Sequence, residues 1–375
     1  MNASETQKTE LAVQNLEPQP GTEKKLGFLS FGHWAEIPGS RVNSASDSLH
    51  QAIDLAVGAE DIGLDGAFFR VHHFDQQQAT PYPLLSAIAA KTSRIELGTG
   101  VIDMRYENPL YLAEEAAALD LLADQRIALG VSRGSPEPAN RGWEAFGYTG
   151  STDPRGADVG RDKFFTFLKA IQGETMTDAD PQQFGPGARL RIEPHSPGLM
   201  ERIWWGAATR ETGEWAGRQG VNLMSSTLVT EATGQSLSEL QYEQIVRYRE
   251  AFAAAGHDRV PRVSVSRSVF PIVDARDRIW NQLRATEDKD QIGMIDGLQS
   301  TFGRSYVGSP EELVDQLSSD AAVQAADTLM LTIPNQLGVG VNLRILATFA
   351  EHVAPHLGWQ PSTEGPVTGY PELAN

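Results

Sequence analysis

His72 and His73 stand side by side where an apolar run, Ala67–Val71, gives out. In extended backbone neighbouring side chains point to opposite faces, so only one of these imidazoles can face a site. That disfavours a metal-dependent hydrolase, whose ligands must share a face with further His and carboxylates nearby. The ring that does face a site is either a proton carrier, its unperturbed pKa being about 6.5, or a hydrogen-bonded structural residue. A second run, Ile127–Ser132, ends in Ser132-Arg133-Gly134. A third, Ile203–Ala207, passes through Gly206-Ala207-Ala208 into Thr209-Arg210-Glu211-Thr212, which opens a helix. The planar fork of an arginine suits phosphate, and so do the unpaired N–H groups at a helix start. Taken singly, Arg133 is also compatible with a surface ion pair and Thr209 with an ordinary N-cap. Together they converge on one anion.

Gly98-Thr99-Gly100-Val101 has glycines that let a planar ring lie against the backbone. It is not a dinucleotide fingerprint, because Asp103 occupies the third glycine position, and a glycine pair in a strand also serves as a bulge or packing feature. His352 and His356 have the spacing of metal ligands, but Pro355 lies between them and a structural role fits better. The chain has no cysteine, which removes disulfides, thiolate metal sites and a Cys nucleophile. No G-x-S-x-G elbow and no paired carboxylates stand out.

These stretches need a scaffold that brings separate strand ends together. Eight apolar runs provide one: Leu26–Phe31, Ala67–Val71, Ile95–Val101, Ile127–Ser132, Ile203–Ala207, Val221–Met224, Arg262–Phe270 and Thr328–Ile333. Helical periodicity precedes each after the first, as in Leu49, Ile53, Ala56 and Val57 before Gly63, and in Pro109 to Ala123 with its acidic wet face. Strand and helix alternating eight times give a (β/α)₈ barrel, a TIM barrel of the α/β class. Gly134 to Pro154 after strand four and Trp280 to Arg304 after strand seven exceed the minimal repeat and read as lids or substrate selectors, while Gln182 to Arg191 reads as a β-ribbon. One barrel over 26–359 is expected between a loose N-terminal tail, 1–25, and a loose C-terminal one, 360–375.

Composition narrows the partners. A net charge of −18 repels nucleic acid and anionic membranes, and no stretch reaches the length of a bilayer span or a signal peptide. A cytoplasmic protein is expected.

In four pieces the residues resemble the bacterial luciferase-like flavin monooxygenases: GLDGAFFRVHHF, TSRIELGTGVI, ENPLYLAEEAAALDLLADQRIALGVSRG and TRETGEWAGRQGVNLM, which together cover most of residues 26 to 225. The resemblance implies reduced FMN across the barrel mouth, its phosphate held by Arg133, Thr209 and Thr212. Thr99, Gly100, Val101, Ser132, Ala208 and Arg210 complete the expected cofactor contacts, with a cis peptide at Gly100–Val101. His72 matches the family's catalytic histidine. His33, Trp34, Phe74, Trp143 and Phe146 are expected to wall the substrate pocket. The implied reaction is oxidation of a small aldehyde- or ketone-like molecule by O₂, with flavin supplied by a separate reductase since no nicotinamide fingerprint is present, in a homodimer paired through helices near strands two and three. Ser132 replaces a Cys near the flavin, and Val71 an acidic residue before the paired His, which puts light emission in doubt. The family also includes deazaflavin-dependent hydride-transfer enzymes and members without demonstrated activity, so a deazaflavin oxidoreductase and a catalytically idle flavin-binding protein stand as alternatives.

Overall fold

The computed structural model describes residues 24–134, 137–282, 287–295 and 297–361. Eight parallel strands close on themselves: β1 (Lys25–Ser30), β2 (Gly66–Phe69), β3 (Glu96–Thr99), β4 (Ile127–Ser132), β5 (Ile203–Ala207), β6 (Asn222–Ser225), β7 (Val263–Pro271) and β8 (Thr328–Thr332). Closure comes from β6 pairing β7 at Leu223 and Val263, and β8 pairing β1 at Thr328 and Lys25. The helices outside are α1 (Ala45–Ile62), α2 (Pro81–Ala89), α3 (Pro109–Leu122), α4 (Ala157–Ile171), α5 (Arg210–Arg218), α6 (Leu237–Ala254), α7 (Pro310–Ser318) and α8 (Val339–His352).

Local chemistry sets the helix ends. Ser44 and Asp47 form a reciprocal capping box at the start of α1, and Gly63 ends it in the left-handed conformation. Asn108 accepts two backbone N–H groups ahead of Pro109 at the start of α3. Ser309 and Glu312 repeat the box on α7.

Two apolar layers hold the barrel. The larger lies between strands and helices. The smaller fills the interior with Leu29, Phe68, Ala128, Trp204, Met224 and Met330. Gly98 makes this filling possible, since a Cβ there would lie 2.2 Å from the Phe68 ring. Beneath, at the amino ends of the strands, Arg262 donates to both oxygens of Glu96 at 2.6 and 3.0 Å and its guanidinium lies 4.7 Å from the Trp204 ring centroid. Lys24 adds hydrogen bonds to the carbonyls of Val323 and Gln324, so Lys24 and Lys25 belong to the barrel rather than to a tail; residues 1–23 and 362–375 lie outside the described residues.

Two strand expectations shift. β2 stops at Phe69: Arg70 still donates to Ser30, but His72 donates to the Gln78 carbonyl and closes a loop, so the His pair sits beyond the strand. β3 breaks at Gly100 and resumes at Ile102–Asp103 beside the end of β4. The Gly100–Val101 bond is not cis; among the described residues the cis bond is Glu193–Pro194. A trans bond avoids a cost of about 3–4 kcal/mol. The long segment after β7 holds a short helix, Ala275–Gln282, then a hairpin of Gln291–Ile295 and Leu298–Phe302 that pairs with Leu228–Val229, and residues 283–286 within it lie outside the described residues. The ribbon is present as Thr177–Asp178 against Arg189–Leu190, with a helical turn at Pro181–Phe184 between them. No helix among the described residues is long and apolar enough to cross a membrane.

Conserving the Arg262 charge while removing its carboxylate is the sharpest test of the barrel floor. Glu96→Ala is expected to cost about 3 kcal/mol by taking away the bidentate partner of a buried guanidinium and leaving it Asp327 at 3.7 Å, read as a lower denaturant midpoint, whereas an unchanged midpoint would show that the pair does not hold the floor.

Candidate active site

At the carboxyl ends of the strands lies a cavity of about 240 Å³. Its floor and sides come from Gly100, Val101, Ser132, Arg133, Ala208, Thr209 and Thr212, together with Met224, Ser225 and Ser226 at the end of β6. Ser132 Oγ accepts the Gly134 N–H at 3.0 Å, which turns the chain so that Arg133 projects from the end of β4. Gly134 has φ +94°, and a Cβ there would lie 2.3 Å from the Arg105 guanidinium, so only glycine fits. Thr209 caps α5: its Oγ1 accepts the Thr212 N–H at 3.0 Å and donates to Thr212 Oγ1 at 2.8 Å. The positive end of α5 and Arg133 thus open onto one space.

More guanidinium groups gather there than sequence reasoning found. Arg155, just before α4, and Arg105, after β3, also line the cavity. Asp103 pairs with Arg105 at 2.5 Å, and Arg105 in turn donates to the Arg155 carbonyl at 2.9 Å, with its guanidinium 4.5 Å from the Trp143 ring centroid. Arg161 stacks on Trp215 with its Nε buried and unpartnered. Burial, then the positive fields of Arg155 and Arg161, push the Arg133 pKa down. Asp103 answers Arg105 and Asp153 offsets part of the charge on Arg133, and the like charge that remains is costly without a further anion.

Other residues singled out from the sequence lie elsewhere. Thr99 is buried below the cavity, its Oγ1 donating to the Gly130 carbonyl at 2.7 Å. Arg210 faces away: its N–H and Nε go to Glu231 at 3.0 and 2.7 Å, Nη2 to the same carboxylate at 2.6 Å, and Nη1 pairs with Glu243. Phe74 and Phe146 pack edge to face at 6.0 Å and join His73, Tyr106 and Trp143 in an aromatic cluster on the outer rim. His73 stacks on Tyr106 at 4.1 Å across the loops after β2 and β3, and Tyr106 in turn packs on Trp143 and Phe146 from the loop after β4, which takes Phe74, Trp143 and Phe146 away from the cavity wall. The Trp34 N–H donates to Gln76 and the His33 carbonyl accepts from Asn335 at 2.6 Å, so both belong to the loop frame above β1. The cavity's apolar walls are Leu29, Phe31, Met224, Leu228 and the hairpin residues Ile295 and Leu298.

His72 is buried beside Arg70, which does line the cavity. Its Nδ1 lies 3.9 Å from Glu137 Oε1, and that same oxygen accepts the His73 N–H at 3.1 Å. Glu137, from the loop after β4, therefore puts a carboxylate beside the pair although residue 71 is Val. Burial first, and then the Arg70 charge, lower the His72 pKa from 6.5 to about 4. His72 is neutral at cellular pH and suited to accept a proton.

The sequence pattern of luciferase-like monooxygenases matches residues 27–327. Limonene 1,2-monooxygenase of Rhodococcus erythropolis is 23% identical over 351 residues, 88% of this chain and 87% of that protein. Among solved structures, the oxygenating constituent of 3,6-diketocamphane monooxygenase of Pseudomonas putida, in complex with FMN, has TM-score 0.61 at 17% identity over 89% of this chain and 98% of that one. An F420-dependent secondary alcohol dehydrogenase, in complex with an F420–acetone adduct, has TM-score 0.58 at 16% identity over 89% and 99%. At these identities the two structural likenesses carry the fold.

An NMR titration of the imidazole resonances tests the local field. His72 is expected to take up its proton near pH 4, and Arg70→Gln to move that titration upward because a positive neighbour no longer opposes the second positive charge. Titration near 6.5 in the unaltered protein would contradict the buried, Arg-flanked placement.

Proposed function

This chain belongs to the luciferase-like monooxygenase family, and on that premise we propose that it is an FMN-dependent monooxygenase acting with O₂ on a small aldehyde- or ketone-like molecule. The observation that carries the reading is that Arg133 and Thr209, which lie 76 residues apart by subtraction of their numbers, open onto one cavity. The residues present fit the cofactor. Guanidinium groups and the start of α5 suit its phosphate, while Ala208, Ser225 and Ser226 keep the surrounding wall small. Arg133, Arg155, Thr209 and Thr212 would hold that phosphate, with Gly100, Val101 and Ser132 beside the ring. Bound there, reduced FMN supplies the electrons with which O₂ oxidises the substrate.

The chain's own part is to bind, exclude water and take up a proton. Met224, Ile295 and Leu298 present apolar surface to the cavity, which keeps water from competing at the reacting centre. His72, neutral and held beside Glu137, is the proton acceptor. A separate reductase supplies the electrons. The deazaflavin alternative would use the same groups: Arg155 and Arg161 add positive charge beside Arg133, and Asp153 offsets part of it.

Equilibrium binding under anaerobic conditions tests both. Reduced FMN is expected to bind more tightly than F420, and Arg133→Ala to weaken FMN by roughly 10- to 100-fold, the loss of a charge-assisted hydrogen bond worth about 1.5–3 kcal/mol. Tighter binding of F420 would transfer the reading to hydride transfer, and an unchanged FMN affinity in the variant would remove Arg133 from the phosphate site.

The same reading includes a homodimer. On α3, Tyr111 and Leu122 are 67% and 68% exposed, an apolar face that a second copy would cover. Tyr111→Glu together with Leu122→Glu is expected to halve the mass seen by sedimentation; a monomeric parent protein would rule the pairing out.

A further inference from the structure

Arg70 is the cavity cation that the cofactor does not account for. We infer that it holds a carboxylate of the substrate, so that the molecule oxidised is a small, largely apolar aldehyde- or ketone-like compound that also carries an acid group. This rests on the flavin reading only in placing the cofactor phosphate at the other end of the cavity.

Arg70 follows β2, whereas Arg133 and Thr209 follow β4 and β5, two and three strands further round the mouth. The two cationic centres have different immediate charged neighbours. The charges weighing on Arg133 are Arg155, Arg161, Asp153 and Arg105, while those weighing on Arg70 are Asp75 and Glu137. Neither of those carboxylates contacts Arg70: Asp75 accepts from the Gln76 N–H, and Glu137 accepts from the His73 N–H beside His72. Among the described residues the guanidinium has one contact of its own, the Phe31 ring 4.9 Å below it. It is thus held in place by an aromatic face, aimed at a cavity, with its donor fork open.

The height of the group argues for substrate rather than for the flavin ring. The strand-end floor is made by Gly100 and Val101, and a Cβ on Gly100 would touch the Arg70 Cα at 2.8 Å, so the Arg70 backbone lies at floor level. Its guanidinium lies 4.9 Å from the ring of Phe31, the first residue past β1, so the side chain reaches into the loop layer. In a barrel of this kind the loop layer is where the substrate is chosen. The same cavity is lined by Leu29, Phe31 and the hairpin residues Ile295 and Leu298, which would take the apolar body. An arginine fork reads a carboxylate with two parallel hydrogen bonds, a specificity that a neutral amide of equal shape does not satisfy.

The test is calorimetric titration of the FMN-loaded protein with two acid and amide pairs, octanoate with octanamide and phenylacetate with phenylacetamide. At least one acid is expected to bind about tenfold or more tightly than its amide. Arg70→Gln is expected to abolish that preference and Arg70→Lys to keep part of it, with FMN affinity within about twofold of the parent in each. Equal binding of acid and amide, binding of neither acid at millimolar concentration, or a loss of FMN affinity in Arg70→Gln as large as in Arg133→Ala would overturn the inference; the last would give Arg70 to the cofactor ring. The same titration without FMN separates the two readings. An Arg70-dependent preference in a protein that binds no flavin would leave the carboxylate subsite standing and remove the flavin.

Discussion

A guanidinium taken out of water needs an anion beside it, or its burial costs several kcal/mol, and the two ends of this barrel treat that constraint in opposite ways. At the amino ends of the strands Arg262 is enclosed with Glu96 and capped by Trp204, its charge answered within the chain. At the carboxyl ends Arg133 is half buried among other arginines, and Arg70 rests on an aromatic ring. The chain carries 49 acidic residues against 31 basic ones, so carboxylates were available to neutralise both positions. Leaving them open keeps the mouth positive while the surface as a whole repels anions, and the field that results draws an anionic ligand toward one place.

How much of this was legible in the sequence depended on whether a property is local. The eight strands could be read because buried parallel strands are short apolar runs rich in β-branched residues, and each run lands on an observed strand with ends moved by a few residues. Arg133 and Thr209 could be singled out because each follows its strand directly, among residues too small to hide it. Arg210 has the same neighbourhood, yet its direction is set by Glu231 and Glu243, on a loop and a helix that only the folded chain brings alongside. The aromatic residues misled for a related reason. Phe74, Trp143 and Phe146 occupy loops above the mouth, but stacking of His73 on Tyr106 turns them into a bridge between two loops. Arg70 stood next to the His pair in plain view. Nothing local said that no carboxylate would meet it.

The long segment after β7 shows a similar mixture. Its length marked it as a cover, but length does not tell whether a cover is tethered. Asp290 answers that: its carboxylate accepts the Leu237 N–H at the start of α6 at 2.7 Å and the Arg304 N–H at 2.9 Å. The far strand of the hairpin pairs with Leu228–Val229, and Thr301 Oγ1 donates to the Glu231 carbonyl at 2.7 Å. Pinned at its base, the hairpin places Ile295 and Leu298 on the cavity side of its tip while Ile292 and Met294 stay exposed. A cover fixed in this way can shape a pocket without first having to become ordered, so less entropy is lost when a ligand enters.

Distribution of labour around the mouth follows from strand order. The loops after β4 and β5 carry Arg133, Arg155 and the start of α5, a chemistry that suits any cofactor with a phosphate and says little about what is oxidised. The loops after β1 and β2 carry Phe31, Arg70 and His72, where one ring, one charge and one neutral imidazole are close enough to influence each other. A barrel separates these sets by covalent geometry, since neighbouring strands cannot exchange places. Changes on the β1 and β2 side can therefore alter the molecule that is recognised without disturbing the phosphate site. In that light the Arg70 charge would have two consequences at once: it selects what enters, and it adds to burial in lowering the His72 pKa, which leaves the imidazole neutral. An anion bound to Arg70 would cancel part of that field and raise the basicity of His72, coupling occupancy of the pocket to readiness for proton transfer.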